Sequence, residues 1–141
     1  MTWLPKKEFK RIFSKVPRLC VDLVIKDKTG IVLVLREIAP WKGLWHVPGG
    51  TVYFGESLKQ AAVRVAKEET GLKVEVVKPL IATEFLEEIK SANRHTVSVG
   101  LLCKIKGGKL KGSFQGETVR IFKTIPKRTI AKHKKIIDSA K

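Results

Sequence analysis

Residues 49–72 read Gly-Gly-Thr-Val-Tyr-Phe-Gly-Glu-Ser-Leu-Lys-Gln-Ala-Ala-Val-Arg-Val-Ala-Lys-Glu-Glu-Thr-Gly-Leu, and this stretch decides the fold. Its second half predicts an amphipathic helix over residues 57–70. Four residues fall at the spacing of one apolar helical face, namely Leu58, Ala61, Ala62 and Val65. Ser57 is a suitable N-cap and Gly71 a suitable closing residue, so a glycine turn leads into a well-defined helix.

A carboxylate near the end of this helix is unusually placed. At about 100° per residue, Glu69 lies close to Val65 on the apolar face. A carboxylate there is costly unless a cation, an arginine or a metal ion pairs with it. The glycines at 49 and 50 let a backbone carbonyl approach a ligand, and such oxygens suit Mg²⁺. Helical geometry alone leaves one alternative open, a helix end that leans into solvent.

Hydrophobic runs and turn signals predict further elements around this stretch. These are a helix over 6–15, strands over 18–26, 31–36, 44–47, 73–89, 95–106 and 119–123, and a helix over 127–140. Residues 27–30 favour a hairpin turn, and residues 91–94 join two of the strands. Antiparallel hairpins with flanking helices favour an α/β/α sandwich.

The spacing of glycines and charged residues in the stretch closely resembles the Nudix box, G-x5-E-x7-R-E-U-x-E-E-x-G-U, where U is bulky and apolar. The matching residues are Gly50, Glu56, Arg64, Glu68, Glu69, Gly71 and Leu72. The resemblance implies an α/β protein with a Nudix-type α/β/α sandwich and a mixed β-sheet, formed as a single domain over residues 1–141. It also implies Mg²⁺, with Mn²⁺ as an alternative, and hydrolysis of a nucleoside diphosphate linked to another moiety.

The resemblance also implies roles for individual residues. Glu69, Glu68 and the Gly50 carbonyl are expected to bind the metal ion. Arg64 is expected to orient the glutamates, and Glu56 to support the loop or the metal, which makes both candidate catalytic residues.

Val65 departs from the family pattern, which usually has glutamate directly after the arginine. In many members that glutamate binds metal or activates water, and a valine can do neither. Ala66 also replaces the usual bulky residue, which is a milder change. The departure leaves open a non-catalytic nucleotide-binding module.

A similar loss occurs in the GDP-mannose mannosyl hydrolase branch, which residues 17–25 and 43–50 also resemble. Its enzymes attack the sugar carbon and release GDP and sugar. That branch has a late Gln-His pair, with glutamine on the metal and histidine as base. Gln115 is the expected metal ligand here, but no histidine follows it, so Glu117 is the candidate base. The branch also often has an arginine where Thr51 stands.

Four further residues are candidates for substrate contact. Asp22 lies in an apolar strand, where a carboxylate is costly, although pairing with Arg18 would also explain it. Arg36 has the planar fork that binds a diphosphate, unless it is a surface arginine. Trp41 and Tyr53 could stack on a base or belong to the core. His46 and His133 belong to no recognisable constellation.

The charge balance favours anionic partners. There are 29 Lys and Arg residues against 13 Asp and Glu residues, a net charge of +16. Nucleotides, polyphosphates and nucleic acid fit this charge, and so does a solvated lysine-rich surface. An enzyme acting on RNA 5′ ends or nucleoside triphosphates is therefore an alternative to the nucleotide-sugar hydrolase.

The remaining features indicate a cytoplasmic protein. No apolar run approaches the ~20 residues of a spanning helix, and no signal peptide is recognisable. Cys20 and Cys103 each lie in an apolar run and are expected to be buried thiols. The absence of a C-x-x-C pair excludes a typical zinc site. Many relatives in the resembled family dimerise, so a homodimer is also expected.

Overall fold

A computed structural model describes residues 4–111 and 118–141 of the chain. Its helices are α1 (Lys6–Phe13), α2 (Leu58–Thr70), α3 (Glu88–Ala92) and α4 (Ala131–Asp138). Its strands are β1 (Arg18–Asp27), β2 (Gly30–Leu35), β3 (Trp45–His46), β4 (Gly49–Thr51), β5 (Leu72–Phe85), β6 (Thr96–Gly108) and β7 (Val119–Phe122). Within the described residues, no helix combines the length and the apolar character needed to cross a bilayer.

The strands form one mixed sheet. Its main path runs β3-β2-β1-β6-β5, with β4 paired to β1 and β7 paired to β2. The pair β1–β6 is parallel, with Arg18 opposite Thr96 and Lys26 opposite Lys104, and the other pairs are antiparallel. The predicted mixed sheet is therefore confirmed.

Alternation along β1 sends its side chains to two different cores. Val21, Leu23 and Ile25 pack with Ala61, Ala62, Val65 and Ala66 of α2 on one face. Val24 packs with Ile136 and Ile137 of α4 on the other face. Helices thus cover both faces of the sheet, and the predicted sandwich is confirmed. Cys20 and Asp22 share the face of Val24, on which the cleft described below opens.

Helix α2 has the ends that its sequence predicts. Ser57 accepts a hydrogen bond from the Gln60 backbone N–H, and the Gln60 side chain accepts one from the Ser57 N–H, which completes a capping box. Gly71 ends the helix in the left-handed region at φ 78°. A Cβ at Gly71 would lie 2.3 Å from the Lys109 carbonyl oxygen, so a larger residue does not fit.

The predicted strand over 73–89 is too long at its end, because the chain leaves the sheet after Phe85 and forms α3. The buried Glu88 anchors this short helix through Arg94 and Thr96. The terminal helices are shorter than predicted, at Lys6–Phe13 and Ala131–Asp138. The hairpin turn at residues 27–30 is confirmed by the pairing of Asp27 with Gly30.

Candidate active site

A cleft of about 330 Å³ opens on the face of β1 that carries Cys20 and Asp22. Its volume lies at the small end of the range for small-molecule sites. Most of its lining is polar or charged, including Arg18, Asp22, Arg36, His46, Gly50, Glu69, Arg94 and His133. Arg18, Arg36 and Arg94 line the same small space as the carboxylates of Asp22 and Glu69. This combination suits a ligand that carries both phosphates and hydroxyl groups.

The Nudix-like loop and helix are braced by one arginine. Arg64 Nε and Nη2 donate to the two Glu56 carboxylate oxygens at 2.8 and 3.0 Å. Nη2 also donates to the Thr51 carbonyl at 2.7 Å, and Nη1 donates to Glu68 at 3.2 Å. The guanidinium lowers the pKa of Glu56, so this carboxyl stays ionised. One side chain thereby joins β4, the following loop and the end of α2.

Tyr53 belongs to the same brace. Its ring lies 3.6 Å from Arg64 Cζ, a close cation–π contact. Glu56, Arg64, Tyr53 and Glu68 are not among the residues that line the cleft. The structure therefore places Tyr53 under the brace and away from the ligand space, while Glu56 and Arg64 position other groups.

Two of the candidate metal-binding residues lie at the cleft. Glu69 and Gly50 both line it, whereas Glu68 is exposed and shares its carboxylate with Arg64. Among the described residues, no three His, Cys, Asp or Glu side chains gather into a metal cage. Mg²⁺ commonly uses one or two carboxylates and takes the rest of its shell from water and substrate phosphates. The donor set at Glu68, Glu69 and Gly50 fits an ion of this kind, held jointly with a substrate.

Val65 fills the place where the usual box glutamate would stand. The valine is 2% exposed and belongs to the core under α2. A Cβ at Gly50 would lie 3.1 Å from Val65 Cγ2, so valine and glycine are in close contact. Val65 therefore contributes to core packing, and position 65 supplies no carboxylate to the site.

Asp22 is a buried carboxylate on the floor of the cleft. It is 7% exposed, and its Oδ2 has no hydrogen-bond partner among the described residues. The Ser98 hydroxyl is likewise buried without a partner. Burial raises the pKa of Asp22 to about 6. Oδ1 lies 2.4 Å from the position that a Cβ on Gly49 would take, so only glycine fits at 49. Pairing with Arg18 therefore does not explain this carboxylate, and an unsatisfied buried oxygen that lines a cleft favours a ligand-binding role.

A polar network fixes two of the arginines. Arg18 donates to Thr96 Oγ1 at 3.0 Å and to Thr51 Oγ1 at 3.1 Å. Thr96 donates to Glu88 at 3.0 Å, and Arg94 Nε donates to the same Glu88 oxygen at 2.7 Å. The resembled branch often has an arginine in place of Thr51, and here the Arg18 guanidinium reaches that position from β1. These hydrogen bonds use some of the N–H donors of Arg18 and Arg94 and thereby fix the orientation of both guanidinium groups.

Arg36 and Trp41 lie in the loop between β2 and β3, and both line the cleft. Arg36 Nε donates to the Ile38 carbonyl at 3.0 Å and also to the Pro40 carbonyl, which ties the arginine to its own loop. Trp41 has a left-handed backbone at φ 72°, unusual for a residue other than glycine. Contact of these two residues with a substrate stays a prediction.

His46 and His133 both line the cleft, although the sequence placed them in no recognisable constellation. Their ring centroids are 5.9 Å apart, although the two residues are distant along the chain. Burial lowers the pKa of each histidine to about 4. One signal could have identified His133, because it lies on the apolar stripe of α4 with Ile130 and Ile137. The same reasoning had drawn attention to Glu69.

Two predicted site residues, Gln115 and Glu117, lie outside the residues that the structure describes. Their roles as metal ligand and base stay predictions. The two cysteines are buried and not joined in a disulfide, as expected. Burial raises the pKa of Cys20 to about 11, so its thiol is protonated in the cleft floor.

Comparison with known proteins points to one family. The model of the NUDIX domain matches residues 16–137. An ADP-ribose pyrophosphatase of Methanocaldococcus jannaschii is 33% identical over 123 residues, which cover 86% of this chain and 71% of that protein. A low-salt glycan biosynthesis protein of Haloferax volcanii is 45% identical over 75 residues. That match covers 53% of this chain and about half, 48%, of the Haloferax protein.

Solved structures show the same fold. The crystal structure of a MutT NUDIX hydrolase from Burkholderia pseudomallei superposes with a TM-score of 0.72 and 21% identity, covering 90% of this chain and 100% of that one. The family model spans most of the chain, and the glycine loop and helix carry the family's characteristic residues. The chain therefore belongs to the Nudix hydrolase family.

Proposed function

We propose that this protein hydrolyses a nucleoside diphosphate linked to a sugar-like moiety, with a divalent metal ion. One observation carries the proposal: Glu69 and Gly50 of the Nudix box line the same cleft as three arginines. Oxygen donors for a hard cation and guanidinium groups for phosphate thus face the same space. The relatedness to an ADP-ribose pyrophosphatase supports this substrate class.

Each residue of the cleft has a defined task in this proposal. Glu68, Glu69 and the Gly50 carbonyl hold the metal ion, which, when bound, neutralises charge on the departing phosphate group. Arg64 and Glu56 keep these donors in place. Arg18, Arg36 and Arg94 bind and orient the anionic part of the substrate. Asp22 accepts a hydrogen bond from a substrate hydroxyl group.

The position of attack is the finer part of the proposal. Val65 removes the group that many relatives use to activate water, so water activation falls to Glu117. With the base outside the box, attack at the sugar carbon of a nucleotide sugar such as GDP-mannose is the reading that we favour. Hydrolysis in ¹⁸O-labelled water distinguishes the outcomes, because label in the released sugar marks carbon attack and label in phosphate marks phosphorus attack.

A substrate panel tests the activity itself. Purified protein is assayed with ADP-ribose, GDP-mannose and other nucleotide sugars, with Mg²⁺, Mn²⁺ or EDTA. We expect metal-dependent release of a nucleotide product and loss of at least 100-fold in kcat/KM for Glu69→Gln. Turnover by Glu69→Gln at the native rate would remove Glu69 from the metal site, and an unaffected Glu117→Gln would remove Glu117 as the base. Binding without turnover under every condition would instead indicate a nucleotide-binding module.

A second candidate, hydrolysis at the 5′ end of RNA, is favoured by the net charge of +16. Phosphates dominate the affinity of proteins for nucleic acids, so this candidate requires strongly salt-dependent binding. Titration of a 5′-triphosphorylated oligonucleotide between 50 and 200 mM salt tests it. A loss of about 10³-fold in affinity over that range, with release of pyrophosphate, would support it. Weak binding at the lower salt concentration would reject it.

A further inference from the structure

The peptide groups of Val47 fix the hydrogen-bonding roles of two cleft histidines. The Val47 N–H donates to His133 Nδ1 at 3.0 Å, and His46 Nδ1 lies 2.7 Å from the Val47 carbonyl oxygen. An N–H group only donates, so His133 Nδ1 carries no hydrogen, and a carbonyl only accepts, so His46 Nδ1 carries one. In their neutral forms, His46 therefore has an acceptor at Nε2, whereas His133 has a donor there.

Both rings are neutral at physiological pH. Burial is the main cause that lowers the pKa of each to about 4, and for His46 the neighbouring His133 adds to the effect. Both line the cleft, and within residues 4–111 and 118–141 each ring forms its hydrogen bond through Nδ1. Nε2 of His46 and Nε2 of His133 thus remain for a ligand.

Part of the wall around the pair is apolar, although Arg36, Asp22 and Glu88 also act on the two rings electrostatically. Phe85 packs edge-to-face against His133 with ring centroids 5.7 Å apart, and Ile130 also lines this wall. Hydrogen bonds formed in such a place are strong and selective, since water competes poorly for them. An uncharged histidine pair does not neutralise the negative charge of a phosphate. The arginines of the cleft can do so.

We propose that His46 and His133 together recognise a neutral part of the substrate that presents a hydrogen-bond donor beside an acceptor. Vicinal hydroxyl groups of the sugar and the edge of a nucleobase share this chemistry. The proposal rests on the proposed function, because it identifies which feature of the substrate the same cleft selects. It makes the two histidines determinants of specificity, and it assigns them no proton transfer, for which a group with so low a pKa is poorly matched near pH 7.

Asparagine substitutions separate the two nitrogens of each ring. The amide of asparagine reaches the position of Nδ1, so His133→Asn can still accept from the Val47 N–H and His46→Asn can still donate to its carbonyl. Both variants lack the group at Nε2. His95→Asn is the matched control, because His95 lies outside the cleft lining. Nitrogen-15 NMR of the native protein, which has three histidines, measures the tautomers directly.

Calorimetric titration with ADP and with ADP-ribose, in the presence of Mg²⁺, measures the effect on binding. We expect each Asn variant to weaken binding about tenfold, the usual effect of losing one buried hydrogen bond. Weakening for ADP-ribose alone identifies the distal sugar as the recognised part, and equal weakening for both identifies the adenosine part, either its base or its own ribose. In the native protein, an ADP-ribose analogue that lacks one hydroxyl of the distal ribose should lose similar affinity in the first case.

Three results would overturn the proposal: unchanged affinities in both Asn variants, NMR tautomers opposite to those assigned, or a loss of kcat with a displaced pH profile and native affinity. The last result would make the histidines proton-transfer groups. Absence of turnover with selective binding intact would reject the hydrolase and leave the histidine proposal standing.

Discussion

At the scale of single residues, Asp22 shows a conflict between stability and function. A buried carboxylate with an unsatisfied oxygen destabilises the fold, and desolvation outweighs the favourable electrostatic effects of Ser98, His46 and Arg18. Residues that are costly to the fold yet placed in a cleft are typical of binding sites. The sequence already indicated this, because an aspartate interrupts an otherwise apolar strand.

Asp22→Asn is expected to stabilise the protein at pH 8. The folded protein, with a pKa of about 6 against an ordinary 3.8, binds this proton more tightly than the unfolded chain. Stability therefore falls as pH rises from about 4 to about 6, and the full cost remains above that range. The gain from Asn should approach about 3 kcal/mol at pH 8 and shrink at pH 4, measured by chemical denaturation.

Asp27 offers the control for this measurement. Its hydrogen bonds with Thr29 lower its pKa, so Asp27→Asn should change stability in the opposite sense. A gain from Asp22→Asn that is equal at both pH values would show that desolvation of the charge is not its cause.

Val65→Glu tests whether the packed valine has replaced a metal ligand. A glutamate here would add a carboxylate beside Gly50, inside a core where a charge without a partner costs about 3 kcal/mol. We expect a lower melting temperature in EDTA that millimolar Mn²⁺ partly restores. Val65→Gln has nearly the same shape without the charge and should not respond to metal. Equal responses of the two variants would contradict the idea that position 65 adjoins the metal.

At the scale of elements, the brace between β4 and α2 depends on the shape of one guanidinium. Arg64→Lys keeps the charge but loses the paired contacts with Glu56, so we expect a loss of about 2 kcal/mol in unfolding free energy and weaker metal binding. Arg11→Lys is the matched control, because Arg11 and Glu8 form an exposed pair in α1. That control should change stability by less than about 0.5 kcal/mol.

Elements with strong local signals could be predicted from the sequence, and those set by distant contacts could not. The cap at Ser57, the closing Gly71 and the apolar face predicted α2 to within a residue. Helix α3 was missed because its five residues follow a β-rich run, and its anchor is the tertiary contact of Glu88 with Thr96 and Arg94. The parallel pairing of β1 with β6 joins residues 78 apart, as in Arg18 and Thr96, and leaves no local pattern.

The candidate site also contains residues with a local sequence signal and residues brought together by distant contacts. Glu69, Gly50 and Asp22 were predicted as ligand contacts because each breaks a local rule or matches the family box, and all three line the cleft, as does Arg36, which was predicted from its planar fork. Tyr53 was expected beside the substrate but packs on Arg64. The histidine pair was missed because Val47 joins two residues from distant parts of the chain.

At the scale of the whole molecule, metal and substrate should bind cooperatively. Mg²⁺ commonly takes part of its shell from substrate phosphates, and the arginines that would bind those phosphates line the same cleft as Glu69 and Gly50. We expect Mn²⁺ or ADP-ribose alone to raise the melting temperature slightly, and both together to raise it by more than the sum. Glu69→Gln should remove the extra increase. A large shift with metal alone would point to a preformed site.

The contact between Asp22 and Gly49 limits which substitutions these two positions accept. The Asp22 carboxylate, together with the Val21 carbonyl oxygen, occupies the space that a side chain at 49 would need, so a change at 49 depends on Asp22, whereas Asp22 can change alone. In a laboratory evolution experiment, variants that replace Gly49 should survive only after Asp22 has become a smaller residue. A change of substrate that requires a new side chain at 49 therefore needs the substitution at Asp22 first.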